Sequence, residues 1–499
     1  MLSKTHSYGI LGLDAYPITI EVDVSRGLPS THIVGLPDNA VRESKERVRS
    51  AIKNSGFKYA PGRVTINLSP ADTKKEGPAF DLAIALGILA SSEQISMEAL
   101  KSFTFLGELS LDGSVLPVSG VLPAAMAMKN SGQALICPLD NAKEAALAQT
   151  VAVYPVKSLS QLIYFLEEPS ATTPFKMDLR DLKRASPAEL DFADVKGQFH
   201  VKRGLEIAAA GGHNLLMIGP PGTGKSMLAK RLPTILPDMN MDEALETTKI
   251  YSVSGLLKSN GALIHQRPFR SPHHTTSAAA IVGGGTYPKP GEVTLSHNGV
   301  LFLDELPEFS RPVLESLRQP LEDQWVTISR ANKSLQFPCR FIMVAAMNPS
   351  PSGGWNDVQH STSQMQRYLS KLSGPLLDRI DLHLEVPDLP AHHLMKEMPA
   401  ESSALIKTRT TRARQIQIDR LGMPNAQMSA KQIKQYCELT TEGRGLLFRA
   451  IEELKLSARA YDRILKVART VADLAGEEKI QTEHVAEAIQ YRSLDRKWN

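Results

Sequence analysis

Cysteine is scarce: Cys137, Cys339 and Cys437 are the only ones in 499 residues, far apart and odd in number. That argues against a disulfide framework and leaves no CxxC pair for structural zinc. Long hydrophobic runs are missing too. The apolar stretch 80–90 falls short of the roughly 20 residues that a membrane helix needs, and the opening Met1-Leu-Ser-Lys has no apolar signal core. The expectation is a soluble, cytoplasmic protein with no membrane partner. An excess of one charge is also absent, since 57 Lys and Arg face 53 Asp and Glu for a net charge of +4. So mild a balance does not mark a nucleic-acid binder, and any such surface must be a local patch. With 42% apolar and 22% charged residues, the composition is globular, and the length predicts about three domains.

Composition shifts twice along the chain. Residues 167–190 mix proline, Ser/Thr and charge without apolar periodicity and read as a linker, which closes a first domain at 1–166. A second break at Val386-Pro-Asp-Leu-Pro precedes helical patterning. The division is an N-terminal domain, a central domain over 191–390 and a helical domain over 391–499. No internal repeat at a fixed period is visible.

Chemistry concentrates in the central domain. Leu215-Leu-Met-Ile runs into Gly219-Pro220-Pro221-Gly222-Thr223-Gly224-Lys225-Ser226, an apolar strand followed by a phosphate-loop pattern. Glycines let backbone N–H groups close round phosphates, the lysine reaches the β/γ-phosphates of ATP, and the serine hydroxyl binds Mg²⁺. A second apolar strand, Val300-Leu-Phe-Leu, ends at Asp304-Glu305. There Asp304 would hold Mg²⁺ and Glu305 would activate the attacking water; a plain helix cap is the competing explanation. A third strand, starting at Phe341, ends at Asn348-Pro349, where the amide could polarise that water or simply form a turn.

Two arginines extend the site. Arg379, in Gly374-Pro-Leu-Leu-Asp-Arg-Ile-Asp, could neutralise transition-state charge in a neighbouring subunit, or pair with Asp378 or Asp381. Arg459 follows the Ser457 cap candidate in the first turn of a helix, where a cation opposes the dipole. That placement asks for an anion, and an ATP phosphate is the candidate.

Taken in order, these residues resemble an AAA+ ATPase, an α/β fold with a P-loop core and a helical lid. More narrowly, Arg267-Pro-Phe-Arg-Ser-Pro-His-His, Gly283-Gly-Gly, the 291–309 segment and the stretch 466–474 resemble the magnesium-chelatase-like ComM/YifB family. The resemblance covers nearly the whole chain. It implies ATP and Mg²⁺ as cofactors, with the phosphate loop, Asp304, Glu305, sensor Asn348, finger Arg379 and second sensor Arg459 in the roles above, and Val195 against adenine. It also implies a homo-oligomeric, hexameric ring. The ring would act on DNA as a branch-migration helicase in natural transformation, with recombination proteins as further partners. Asn348-Pro-Ser-Pro-Ser-Gly has serines where many relatives have cysteines, which removes any metal-binding expectation there.

The N-terminal domain adds an independent likeness. Residues 107–120 and Glu76-Gly-Pro-Ala-Phe-Asp are similar to the Lon protease catalytic domain, an α+β ribosomal S5-like fold. The positions matching Lon's serine and lysine are Ala79 and Leu122, which can neither attack nor accept a proton, so proteolysis is not expected. Two inserts would face DNA: one containing Lys289, and a hairpin with Arg330, Asn332 and Lys333 near its tip. A solvated turn is the plain alternative for the hairpin. Rival readings of the whole chain are a metal-insertion ATPase of the magnesium-chelatase type and an assembly protein switched by ATP.

Overall fold

The computed structural model describes residues 1–177, 190–257, 263–285, 288–330, 333–351, 353–354, 368, 371–388, 400–454 and 456–492, without the side chains of Arg330 and Lys333. It falls into two compact units, Met1–Arg184 with Met241–Ile264, and Ala185–Asn240 with His265–Asn499. A contiguous division at 167–190 misses one feature of this arrangement: a segment between the phosphate loop and Asp304 packs with the first unit.

The first unit is built on a seven-stranded mixed sheet. Strands β1 (Leu2–Leu11) and β2 (Asp14–Ser25) pair antiparallel over the full length of β1, with Leu2 opposite Asp23 and Leu11 opposite Asp14. The sheet is completed by β3 (Ser30–Val34), β4 (Arg63–Ser69), β5 (Phe103–Phe105), β6 (Ala134–Pro138) and β7 (Val153–Val156), in the order β3-β4-β2-β1-β5-β6-β7. Helix α1 (Asn39–Asn54) is amphipathic and starts on the Asp38 cap. Helix α2 (Asp81–Ser91) is buried all round, which is where the longest apolar run of the sequence goes. The β1 side chains facing α2 are hydroxyls, and they are satisfied there: Ser3 Oγ donates to Gly87 O at 2.7 Å and Thr5 Oγ1 to Ala83 O at 3.0 Å. Asp81 opens the helix in burial, which pushes its carboxyl up to about 6, against the Arg47 guanidinium bound to it at 2.8 Å.

Helix α3 (Val121–Ala127) follows Gly120, whose φ of 79° is left-handed. Here the visiting helix Met241–Val253 docks. Gly120 N donates to Ser252 O at 3.1 Å, Ser252 Oγ bonds the buried Glu144, and Glu144 Oε1 accepts from Leu122 N at 2.9 Å. Leu122 is itself fully buried, with Leu245 and Leu263 packed on its cluster. Ala79 is half-buried and its carbonyl accepts from Gly107 N at 3.0 Å.

The second unit holds a five-stranded parallel sheet: β8 (Leu215–Ile218), β9 (Phe269–Arg270), β10 (Val300–Leu303), β13 (Ile342–Met347) and β14 (Leu382–Glu385), in the order β9-β10-β13-β8-β14. The hairpin β11 (Trp325–Arg330) and β12 (Lys333–Pro338) stands apart from it. Register aligns Leu215 with both Val344 and Leu382, and Val300 with Ile342. Strands β8, β10 and β13 are buried throughout, as continuous apolar runs in a parallel sheet should be. Helices α4 (Phe199–Gly211) and α5 (Lys225–Ile235) pack on the sheet, and residues of α6 (Ser403–Leu421), α7 (Thr441–Leu454) and α8 (Ala458–Ala475) join the same core. Arg267 fixes the base of the excursion, donating to Pro237 O at 2.6 Å and Asn298 O at 2.7 Å.

Candidate active site

In a parallel sheet the residues that follow each strand gather at one edge, and that edge is where such folds bind ligands. Gly219 follows β8, Asp304 follows β10 and Asn348 follows β13. Gly219 sits so close to Val386 that a Cβ would fall 2.1 Å from its carbonyl oxygen, while Gly222 and Gly224 have φ values of 81° and 88°. The loop conformation therefore depends on glycine at these points. Thr223 Oγ1 closes the turn on Pro220 O at 2.9 Å, and Gly353 approaches Pro221 closely enough that its Cβ would meet the ring at 2.7 Å.

The side chains at this edge already touch one another. Lys225 Nζ donates to Gly219 O at 2.6 Å, Pro220 O at 2.7 Å and Asn348 Oδ1 at 3.2 Å. Burial lowers the lysine's pKa, opposed by the charges of Asp304 and Asp388. Ser226 Oγ donates to Asp304 Oδ2 at 2.7 Å, so two hard oxygen donors stand side by side, a set that suits Mg²⁺. Glu305 is in the left-handed region, φ 52° and ψ 48°, and its side chain is 59% exposed. His274 meets it, Nδ1 to Oε2 at 3.3 Å, with the His273 ring tilted by 34° against that of His274 at 4.1 Å between ring centres. Val195 is buried in the core of this unit, and its carbonyl accepts from Lys202 Nζ. Its segment is tied to α5 through Arg231, which reaches Asp191 O at 2.7 Å and Asp194 Oδ2 at 2.9 Å.

Arg379 and Arg459 lie elsewhere. They line a cleft with Asn214, Arg340 and Asp381, residues that lie just before β8, β13 and β14, so the cleft opens at the opposite edge of the sheet. Arg379 pairs with Glu322 and donates to Pro375 O at 2.6 Å, rather than with Asp378 or Asp381. Arg459, 62% exposed, bonds Asp378 Oδ2 at 3.2 Å; the anion that its helix position asks for is supplied by its own chain. Behind them Asp381 is buried against Arg463 and His213. Burial alone would raise its pKa, but those two groups outweigh it and hold the carboxyl well below the usual range.

The DNA-contact candidates also have places. Lys289 is exposed, paired across a two-residue ladder with Gly284. Arg330 and Lys333 face each other as the last pair of the hairpin ladder; their side chains, and Asn332, lie outside the described residues. A Cβ on Gly283 would fall 2.7 Å from Ile328 Cδ1, so the two inserts pack together. Sequence reasoning missed His274, Glu322 and Asn214, and offered Asp378 as a partner for Arg379 where the structure pairs it with Arg459. His274 was visible only inside a family signature; nothing local marks Glu322 or Asn214.

Three family models match, described as magnesium chelatase, subunit ChlI, over 191–394, subunit ChlI of Mg-chelatase over 20–141, and magnesium chelatase, subunit ChlI C-terminal, over 400–492. Competence protein ComM of Haemophilus influenzae is 48% identical, covering 99% of this chain and 98% of its own. Protein YifB of Escherichia coli is 45% identical with the same coverage. Lon protease 2 of Bacillus subtilis is 27% identical over 31% of this chain and 29% of its own. Among the described residues no helix is long and apolar enough to cross a membrane.

Proposed function

The chain belongs to the ComM/YifB family of magnesium-chelatase-like ATPases, and from that premise we propose that it is an ATP-driven ring motor on DNA. The finer reading is a cytoplasmic, hexameric branch-migration helicase that works on recombination intermediates during natural transformation. One observation carries it: the phosphate-binding groups meet at one edge of the sheet, and the two arginines stand at the other. A subunit so built holds half of two sites, which is the condition for a ring whose ATP sites lie between neighbours.

The chemistry follows from the side chains. Lys225 moves from carbonyl oxygens and Asn348 to the β/γ-phosphates of ATP. Ser226 and Asp304 would hold Mg²⁺, which would supply positive charge to neutralise the phosphates. Glu305, released from His274, takes a proton from the water that attacks the γ-phosphorus in line, and ADP is the leaving group. A neighbour's Arg379 and Arg459, freed from Glu322 and Asp378, neutralise the charge that develops. The N-terminal unit is a non-proteolytic Lon-like fold, with Ala79 and Leu122 at the dyad positions and Leu122 covered by the visiting segment.

The test is hydrolysis measured with and without a four-way DNA junction, alongside junction migration. Stimulated turnover and ATP-dependent migration are expected. Hydrolysis indifferent to DNA would overturn the motor and favour an ATP-switched assembly protein.

A further inference from the structure

Asn214 stands at the arginine edge, away from the phosphate loop, and is tied in there by both its side chain and its main chain. Its Nδ2 donates to the backbone carbonyl of Arg379 at 3.2 Å, and its Oδ1 accepts from Met343 N at 2.8 Å. Its own carbonyl accepts from Asp381 N at 2.9 Å and Leu382 N at 3.1 Å, while its N–H donates to Asp381 Oδ2 at 3.3 Å. One short side chain therefore clasps the arginine's backbone to the start of β13, and its main chain clasps the start of β14.

The connections lead back to the nucleotide. Strand β8 begins one residue after Asn214 and ends just before Gly219; β13 begins one residue before Met343 and ends just before Asn348, the partner of Lys225. Both strands are fully buried, and close-packed interiors transmit displacement rather than absorb it. The position of Arg379 is thus referenced to the two strands that build the chain's own phosphate site.

We propose that Asn214 is a positioning residue that aligns Arg379 for the nucleotide of the neighbouring subunit. The proposal rests on the split-site reading above. Geometric alignment matters at this scale because a misplacement on the order of 1 Å costs about 10²-fold in rate. A residue that only stabilised β8 would instead weaken the phosphate loop of its own subunit, and mixed rings separate the two roles.

Three mixtures decide it, each read as ATP turnover against its components after ring assembly and ATP binding are measured. Arg379→Ala with Glu305→Gln is the control: one variant has a sound phosphate site, the other a sound arginine, so hydrolysis returns. Failure of that control breaks the split-site reading itself. Asn214→Ala alone should bind ATP normally and turn over about 10²-fold slower. Mixed with Glu305→Gln, it should recover more than about tenfold; mixed with Arg379→Ala, it should stay slow, since neither variant delivers an arginine. The reverse pattern, activity with Arg379→Ala and none with Glu305→Gln, overturns the proposal by placing the damage at Asn214's own phosphate loop. So does wild-type turnover in Asn214→Ala. If Asn214→Ala does not assemble, the milder Asn214→Ser takes its place, and loss of assembly in both makes Asn214 a folding residue and ends the proposal.

Discussion

The two edges of the parallel sheet are arranged in opposite ways. At the phosphate edge the functional groups satisfy one another: Lys225 rests on Asn348, and Ser226 on Asp304. At the arginine edge each cation is held by a carboxylate outside the phosphate edge, Arg379 by Glu322 and Arg459 by Asp378. On the proposed reading, the first edge is a site for ATP, and the second would supply its two arginines to a neighbouring subunit. The exposed Arg459–Asp378 pair contributes little, so the carboxylate holds that cation while leaving it available; Arg379, 15% exposed, is the more enclosed of the two.

The largest effect should come from breaking the phosphate edge. Lys225→Ala removes a charge-assisted contact to the β/γ-phosphates and should abolish all nucleotide-dependent function; wild-type turnover would sink the assignment. Glu305→Gln keeps the shape and loses the base, so ATP binding should persist while hydrolysis slows strongly. Loss of binding in that variant would make Glu305 structural.

Next comes the arginine edge. Arg379→Ala should leave ATP binding intact and lower turnover by about 10³–10⁵, the range for arginine fingers. Mixing it with Lys225→Ala should restore part of the activity, because hybrid interfaces then hold one sound half from each variant. No recovery in any mixture of assembled subunits would mean that Arg379 acts within its own chain. Arg459 is the more exposed of the two, and Arg459→Ala should cost less: one hydrogen bond to a charged group, about 1.5–3 kcal/mol, or about 10- to 100-fold in turnover. An effect equal to that of Arg379→Ala would show that the two act as one unit.

How much of this was readable beforehand follows the same contrast. The phosphate edge is written locally: each functional residue comes directly after an apolar strand, so strand and chemistry appear in one short window, from Leu215 to Ser226, Val300 to Glu305 and Phe341 to Asn348. The arginine edge is written across distance. Glu322 and Arg379, or Asp378 and Arg459, meet only after folding, and no spacing rule joins them. The path of the 241–264 segment was equally hidden. Its helix looks like any core helix in sequence, and only the Ser252 and Leu245 contacts with the first unit tell which core it joins. His274 was in view as part of a motif, but its contact with Glu305 depends on where β9 places the following loop.

The smallest expected effect concerns the hairpin, where motor and switch part company. The Arg330–Lys333 pair ends the ladder, and the hairpin packs beside the insert that bears Lys289. If these cations follow a phosphate backbone, replacing Arg330 and Lys333 with Ala removes about two ionic contacts per subunit. Binding should weaken across all sequences and its salt dependence should flatten, because fewer counterions are released. Turnover without DNA should survive, since neither residue belongs to the phosphate edge, whereas stimulation by DNA and junction migration should fall. A double variant that keeps full stimulation and migrates junctions normally makes the hairpin an ordinary solvated turn; the grip would then have to lie at Lys289 or in the N-terminal unit, and Lys289→Ala measured in the same salt series separates those two.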